Sequence, residues 1–185
     1  MASPEGRIRA ATPTDAEAIR ALYAPIVAET VASFEVSPPD ADEIGRRISA
    51  RPRLPWLVAE VAGAVVGFSY CSPHRQRHAY RWSADCSAYV GSGHQRQGLG
   101  RLLYQRLFSE MRGLGYVSVF AGIALPNAPS VALHEAVGFE PVGVFRNVGY
   151  KHGSWHDVGW WQRSLVDPPN APAEPREWPG DARDQ

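Results

Sequence analysis

Gln95-Arg96-Gln97-Gly98-Leu99-Gly100-Arg101-Leu102-Leu103 is the stretch on which the reading of the chain turns. It follows Ser87-Ala88-Tyr89-Val90, which reads as the end of a strand. From Gly98 onward Leu99, Leu102, Leu103, Leu107 and Met111 recur at three- and four-residue spacing, the apolar stripe of an amphipathic helix. A glycine-rich turn therefore joins a strand to a helix. The first N–H groups of such a helix lack intrahelical partners and stand at the positive end of its dipole, so they can take an anion such as a diphosphate. Gly98 and Gly100 would let that anion approach the backbone without a Cβ in the way. A P-loop needs Lys and then Ser or Thr after its second glycine, where Arg101 and Leu102 stand. A dinucleotide fingerprint needs a third glycine where Leu103 stands. Both fail.

Outward from this turn, composition bounds the rest. A chain of 185 residues suits one domain with a substantial core. Lys plus Arg and Asp plus Glu both count 19, and the pI is near 7.0, so nothing favours nucleic acid or an anionic membrane surface. No apolar run approaches the roughly 20 residues of a membrane helix, and Met-Ala-Ser-Pro-Glu-Gly-Arg has no hydrophobic signal core. A cytoplasmic location is expected. Cys71 and Cys86 agree with a reducing compartment, and Cys86 reads as a small apolar strand residue rather than a nucleophile. The histidines show no metal-ligand spacing with cysteine or carboxylate, so no metal is expected.

Arg7 to Ala11 reads as a strand, and Thr14-Asp15 as a cap before a helix carrying Ala18, Ile19, Leu22, Ile26 and Val27. A second helix spans Ala41 to Ala50, and a hairpin turns at Ala62-Gly63 between Trp56–Val61 and Ala64–Tyr70. Ser72 to Arg81 is polar and reads as a loop. Ser118 to Ile123 is a strand, Pro129 to Val137 a helix, and Val142 to Phe145 and Val158 to Leu165 are late strands. The expected fold is α/β, a mixed sheet flanked by helices, in one domain over 1–166. From 167 to 185 the proline-rich composition has too little apolar content to pack, and a mobile tail is expected.

The Gln95-x-x-Gly98-x-Gly100 loop resembles the acetyl-coenzyme A binding motif of the GNAT N-acetyltransferases, and the order of elements is that of the GNAT fold. Asn127-Ala128-Pro129-Ser130, before Leu133-His134-Glu135-Ala136-Val137-Gly138-Phe139, looks like the segment that contacts coenzyme A in those enzymes. Tyr150-Lys151-His152-Gly153-Ser154-Trp155-His156-Asp157-Val158-Gly159-Trp160-Trp161-Gln162 is rarer. With Leu54-Pro55-Trp56-Leu57-Val58-Ala59-Glu60, it resembles the phosphinothricin N-acetyltransferases over roughly Ile8 to Leu165. Those enzymes acetylate the amine of a glutamate-like herbicide with acetyl-CoA, and relatives act on methionine sulfone, methionine sulfoximine and other small amines. The resemblance implies herbicide resistance as a phenotype, a homodimer with the Tyr150–Trp161 segment near the interface, and acetyl-CoA contacts at Tyr89, Val90, Gln95, Arg96, Gln97, Gly98, Leu99, Gly100, Arg101, Asn127 and Ser130.

An alkyl ammonium has a pKa of roughly 10, so near pH 7 it must lose a proton before attacking a thioester. The family's carboxylate base, usually glutamate, falls at Asp85, one methylene shorter, so that a relaying water is plausible. The competing role for Asp85 is a cap or an arginine pair. The resemblance puts His134 at the site of an acid or base; the competing role is a helix histidine holding a backbone carbonyl. Arg75 and Arg77 would fork onto a carboxylate or phosphinate, with Tyr80 and Phe34 lining the substrate. The expected reaction is direct acetyl transfer to a small amino acid in a ternary complex. The alternatives are acetylation of a polyamine or protein N-terminus, or a catalytically weak acetyl-CoA-binding module, which the shortened Asp85 keeps open.

Overall fold

The hairpin of Trp56–Val61 (β2) and Ala64–Pro73 (β3) is the middle of the hydrophobic core. Alternate residues of β2 serve opposite faces: Leu57 and Ala59 join one buried cluster, Trp56 and Val58 the other. A strand covered on both sides must read as a near-continuous apolar run, as Trp56-Leu57-Val58-Ala59 does. The computed structural model describes residues 6–180. Its other elements are β1 (Arg7–Ala10), α1 (Ala16–Glu29), α2 (Ala41–Ser49), β4 (Ser83–Val90) and α3 (Leu99–Leu114). They are followed by β5 (Ser118–Leu125), α4 (Ala128–Ala136), β6 (Glu140–Lys151) and β7 (Ser154–Ser164).

The seven strands form one mixed sheet in the order β1-β2-β3-β4-β5-β7-β6. Only β4 and β5 run parallel, as a strand-helix-strand crossover through α3 requires. Ile19, Tyr23 and Val27 of α1 with Ile44 and Ile48 of α2 pack on one face. Leu99, Leu103, Leu107 and Met111 of α3 pack on the other, as the sequence leads one to expect, whereas Leu102, counted in the same stripe, is 41% exposed.

Several expectations are corrected. Ser72–Arg81 is not all loop: β3 runs to Pro73, paired with Ala84, and a single 3-10 turn occupies His78–Tyr80. The late strands are longer than expected, 12 residues in β6 and 11 in β7, and meet at His152-Gly153, whose φ of 50° and 76° suit a tight hairpin turn. The tail does pack as far as it is described. Trp178 is buried, donates from Nε1 to Glu110 at 2.9 Å and lies under the Arg53 guanidinium. Arg176 N–H donates to the Leu114 carbonyl at the end of α3. The last residues of the expected tail lie outside the described ones.

Candidate active site

The parallel pairing of β4 with β5 is short. It runs Ser83↔Ser118, Ala84↔Val119 and Asp85↔Phe120, then stops. Beyond that point β4 keeps its partner β3 as far as Val90, while β5 pairs with β7 as far as Leu125. The two central strands thus splay apart, and alternate backbone groups of β4 facing the gap lose their ladder partners. Asp85 stands at the apex of this wedge. A cleft of about 440 Å³ fills it, lined by Ser87, Ala88, Tyr89 and Val90 on one side and Gly122, Ile123 and Ala124 on the other, with Asn127, Ser130 and His134 above.

Toward α3 the wedge continues into a second cleft of about 580 Å³, bounded by His94, Gln95, Arg96, Gly98, Gly100, Arg101, Ser130 and His134. The helix N-terminus there has no side-chain cap and no acidic residue in its first turn. Its cap residue Gly98 has φ 84°, with nothing near the position a Cβ would take. Arg101 in the first turn opposes the helix dipole, which favours the helix only if an anion is received between the charge and the N–H groups. His94 also lines this cleft, and its Nδ1 is buried without a partner among the described residues. These groups fit a diphosphate. Gly100 serves a packing need as well: a Cβ there would come within 3.0 Å of Leu133, so it allows α4 to lie close to α3. Leu99 is a core residue, while Gln95 and Gln97 reach the carbonyls of Val90 and Gly93 at 3.4 and 3.3 Å and brace the loop. Asn127 accepts from the Ser130 N–H at 3.2 Å and caps α4, leaving its amide nitrogen available.

On the face carrying α1, the wedge adjoins a third cleft of about 660 Å³. The two share Val31, Ala32, Tyr89, Gly122 and Ala124, so one groove runs from the α3 N-terminus past the apex to this cleft. Its walls are aromatic: Tyr23, Phe34, Tyr70, Tyr89, Phe145 and Trp160. Glu35 adds a carboxylate held by Arg47 at 2.7 Å and by the Tyr23 hydroxyl at 3.0 Å.

The expected substrate residues do not converge. Phe34 lines the aromatic cleft; Arg75 lies over Trp160, 5.5 Å from the ring, and meets the cleft only through that wall. Arg77 and Tyr80 stand exposed on the outer loop and line none of the three clefts. Lys151 and Glu35, neither named as a site residue on the sequence, both bear on the cleft, Glu35 in its lining and Lys151 through the Ser33 carbonyl. Their partners lie 12 to 124 residues away, so no local spacing signals them.

Asp85 also lines none of the three clefts, and among the described residues it pairs with no arginine. Its Oδ1 meets His74 Nδ1 at 2.6 Å. Burial pushes its carboxyl above the ordinary carboxylate range, against the opposing pull of the His74 hydrogen bond and the charges of His74 and Arg75. His134 is buried with both ring nitrogens engaged: Nδ1 lies 2.7 Å from the Ser130 carbonyl and Nε2 2.7 Å from the Tyr104 hydroxyl. The carbonyl only accepts, so Nδ1 carries the proton and Tyr104 donates to Nε2. Burial lowers the His134 pKa, partly offset by the Ser130 bond. Cys86 donates from Sγ to the Phe120 carbonyl at 3.4 Å, and burial pushes its thiol well up, away from nucleophile chemistry. Among the described residues no group of three or more His, Cys, Asp or Glu side chains could hold a metal ion, and no helix is long and apolar enough to cross a membrane.

Residues 8–160 match the family described as an acetyltransferase (GNAT) domain. The chain is 44% identical over 178 residues to a phosphinothricin N-acetyltransferase of Streptomyces viridochromogenes, covering 94% of this chain and 95% of that one. It is 36% identical over 160 residues to an L-methionine sulfoximine/L-methionine sulfone acetyltransferase of Salmonella typhimurium, covering 85% and 94%. Among solved structures, a GNAT superfamily phosphinothricin acetyltransferase from Sinorhizobium meliloti in complex with acetyl-CoA superposes with a TM-score of 0.84 at 32% identity, covering 90% of this chain and 95% of that one.

Proposed function

The chain belongs to the GNAT acetyltransferase family and is an N-acetyltransferase, and from that premise we propose that it moves the acetyl group of acetyl-CoA directly to the amine of a small amino acid. L-phosphinothricin, methionine sulfone and methionine sulfoximine are the proposed substrates. The observation that carries the reading is the continuous groove that opens where β4 and β5 part, with the α3 N-terminus at one end and the aromatic cleft at the other; Asp85 stands at the last β4–β5 pair, just short of the groove's lining.

In this reading the N–H groups of Gly98, Gly100 and Arg101 hold the diphosphate, with Arg96 and Arg101 adding charge. The gap-facing backbone of Tyr89 and Val90 and the side chains of Asn127 and Ser130 line the arm of the cosubstrate. The bound thioester supplies an activated acetyl carbon. Phe34 and Trp160 wall the amino acid, and Arg75 approaches its acidic end; Arg77 and Tyr80 shape the loop from outside. Asp85, directly or through a water, takes a proton from the ammonium. The leaving thiolate then draws its proton from the nitrogen that has just been acylated. His134 holds the Ser130 turn, because its neutral ring has no free proton to give, and stands as an acid only when doubly protonated. A cytoplasmic homodimer, and resistance to the herbicide in cells that carry the enzyme, complete the proposal.

Thiol release from acetyl-CoA, followed over a panel of these amino acids, spermidine and a short peptide with a free N-terminus, tests it. Turnover is expected with the first group. Preference for the polyamine or the peptide transfers the assignment to those amines. Saturable acetyl-CoA binding with no thiol release for any acceptor leaves a binding module.

A further inference from the structure

His74 reaches Asp85 from the end of β3. The antiparallel register pairs Ser72 with Asp85 and Pro73 with Ala84. One step further brings His74 beside Ser83, on the face that Asp85 shares, where diagonal neighbours touch. The ring is fixed on several sides. It stacks on Phe120 with centroids 4.3 Å apart and planes 17° apart, and stands edge-on to Trp160 and Tyr80, each 6.0 Å away. Its side chain is 11% exposed and that of Asp85 30%, so the carboxylate is the more open of the two. Asp85 has no other side-chain partner among the described residues, and one of its oxygens is therefore uncommitted. An ionised carboxylate only accepts, so the Nδ1 of His74 carries the proton in the 2.6 Å bond.

A free aspartate turns about χ2 between equivalent orientations, and being one methylene short it has little reach to waste. Resting on the assignment of Asp85 as the base, we propose that His74 is its positioning residue: the imidazole clamps Oδ1 through Nδ1–H, and Oδ2 is left as the single acceptor for the ammonium proton. The bond also opposes the effect of burial by favouring the ionised carboxylate, so that the base is available near neutral pH. The titratable and charged groups around the ring are Asp85 on β4 and Arg75 and Tyr80 on the adjoining loop; β5 and β7 present only Phe120 and Trp160. The clamp moves no proton through His74. The ammonium proton goes to Oδ2 and on to solvent, the nitrogen bonds to the acetyl carbon, the C–S bond breaks toward sulfur, and sulfur takes the second nitrogen proton.

Three variants of the full chain test this with acetyl-CoA and methionine sulfone: His74→Phe, which keeps a ring on Phe120, His74→Asn, whose amide can still donate to Oδ1, and Asp85→Asn. In His74→Phe, kcat/KM at pH 7 is expected to fall roughly 10-fold or more, the loss of a hydrogen bond to a charged group. The acid limb of its pH profile should move up by about one pH unit as the carboxylate loses its donor. His74→Asn should recover most of the rate and the parental limb. Acetyl-CoA binding should persist in all three. A parental profile in His74→Phe with an inactive Asp85→Asn overturns the role of His74 and leaves the base in place. Equal losses in both His74 variants with an unmoved limb reduce His74 to packing and also overturn it. Parental rates in Asp85→Asn remove the base itself, which is a separate failure.

Discussion

Lys151 donates from Nζ to the carbonyl oxygen of Ser33 at 2.7 Å, and the same ammonium reaches the Val27 carbonyl at 2.6 Å. It is buried, at the C-terminal end of α1 where a cation suits the helix dipole. One side chain thus fastens the β6–β7 hairpin to the end of α1 and to the loop that brings Phe34 into the aromatic cleft. Phe34 lies against Gly149 on the same hairpin, where no Cβ would fit.

Lys151→Met keeps the length of the side chain and leaves both carbonyls without their donor. We expect a loss of about 1.5–3 kcal/mol of stability, and a KM for the amino acid raised roughly 10-fold by the loosened Phe34, with acetyl-CoA binding unchanged. Steady-state kinetics with each substrate varied in turn checks it. An unchanged amino acid KM would separate the clamp from the cleft.

Legibility followed the range of the interactions. The glycine-rich turn, the α3 stripe and the Ala62-Gly63 hairpin are written in neighbouring residues, and each stands where its periodicity places it. Beyond Phe145, β6 was not read as strand, because Asn147 at φ 50° and Gly149 interrupt the alternation and only pairing with β7 carries the strand onward. The tail misled through its average: one aromatic residue, Trp178, anchors a segment whose composition says disorder. His74 was hidden in a polar stretch taken for loop. Carrying the expected strand four residues past Tyr70 puts Tyr70, Ser72 and His74 on one face with Asp85. Lys151 and Glu35 could not be found this way, since the folded chain alone brings their partners near.

Strand β6 is a sheet edge, and Val142, Val144, Phe145, Val148 and Tyr150 on it are 46–60% exposed, with Trp155 opposite at 61%. A long apolar edge invites pairing with another chain. If a second copy covers it, Val144→Lys combined with Tyr150→Lys should convert a dimer into a monomer at micromolar concentration without changing the far-ultraviolet spectrum. Sedimentation equilibrium of parent and variant decides. A monomeric parent rules out the assembly.

Trp178 is 2% exposed, and truncating a buried tryptophan costs about 3–5 kcal/mol. For a domain of this size each kcal/mol lowers Tm by about 2–4 °C. Trp178→Ala should therefore melt about 10 °C lower, while kcat at 25 °C stays near the parental value, because the tail docks against α3 and Arg53 rather than along the groove. Thermal unfolding by circular dichroism reads it directly. A parental Tm would mean that the tail contributes no net stability in solution.

His134 offers a test in both pH and catalysis. In the unfolded chain an imidazole takes its proton near pH 6.5, whereas burial keeps the folded one neutral to lower pH. Between those two values the unfolded state binds more protons, so stability falls as pH falls, and above pH 7 the residue adds no pH dependence. Asp85 acts in the opposite sense, since its raised carboxyl lets the folded state hold a proton that the unfolded one has already lost. His134→Asn can keep the bond to the Ser130 carbonyl and cannot titrate, so its Tm should decline less between pH 7 and pH 5 than that of the parent. As an anchor of the Ser130 turn, His134 should matter to acetyl-CoA affinity. We expect a severalfold weaker Kd in His134→Asn and a fall in kcat of less than about 10-fold. A fall of 100-fold or more with unchanged Kd, in the range general acids contribute, would instead make His134 the donor to the leaving thiolate, and Tyr104 its route for the replacement proton.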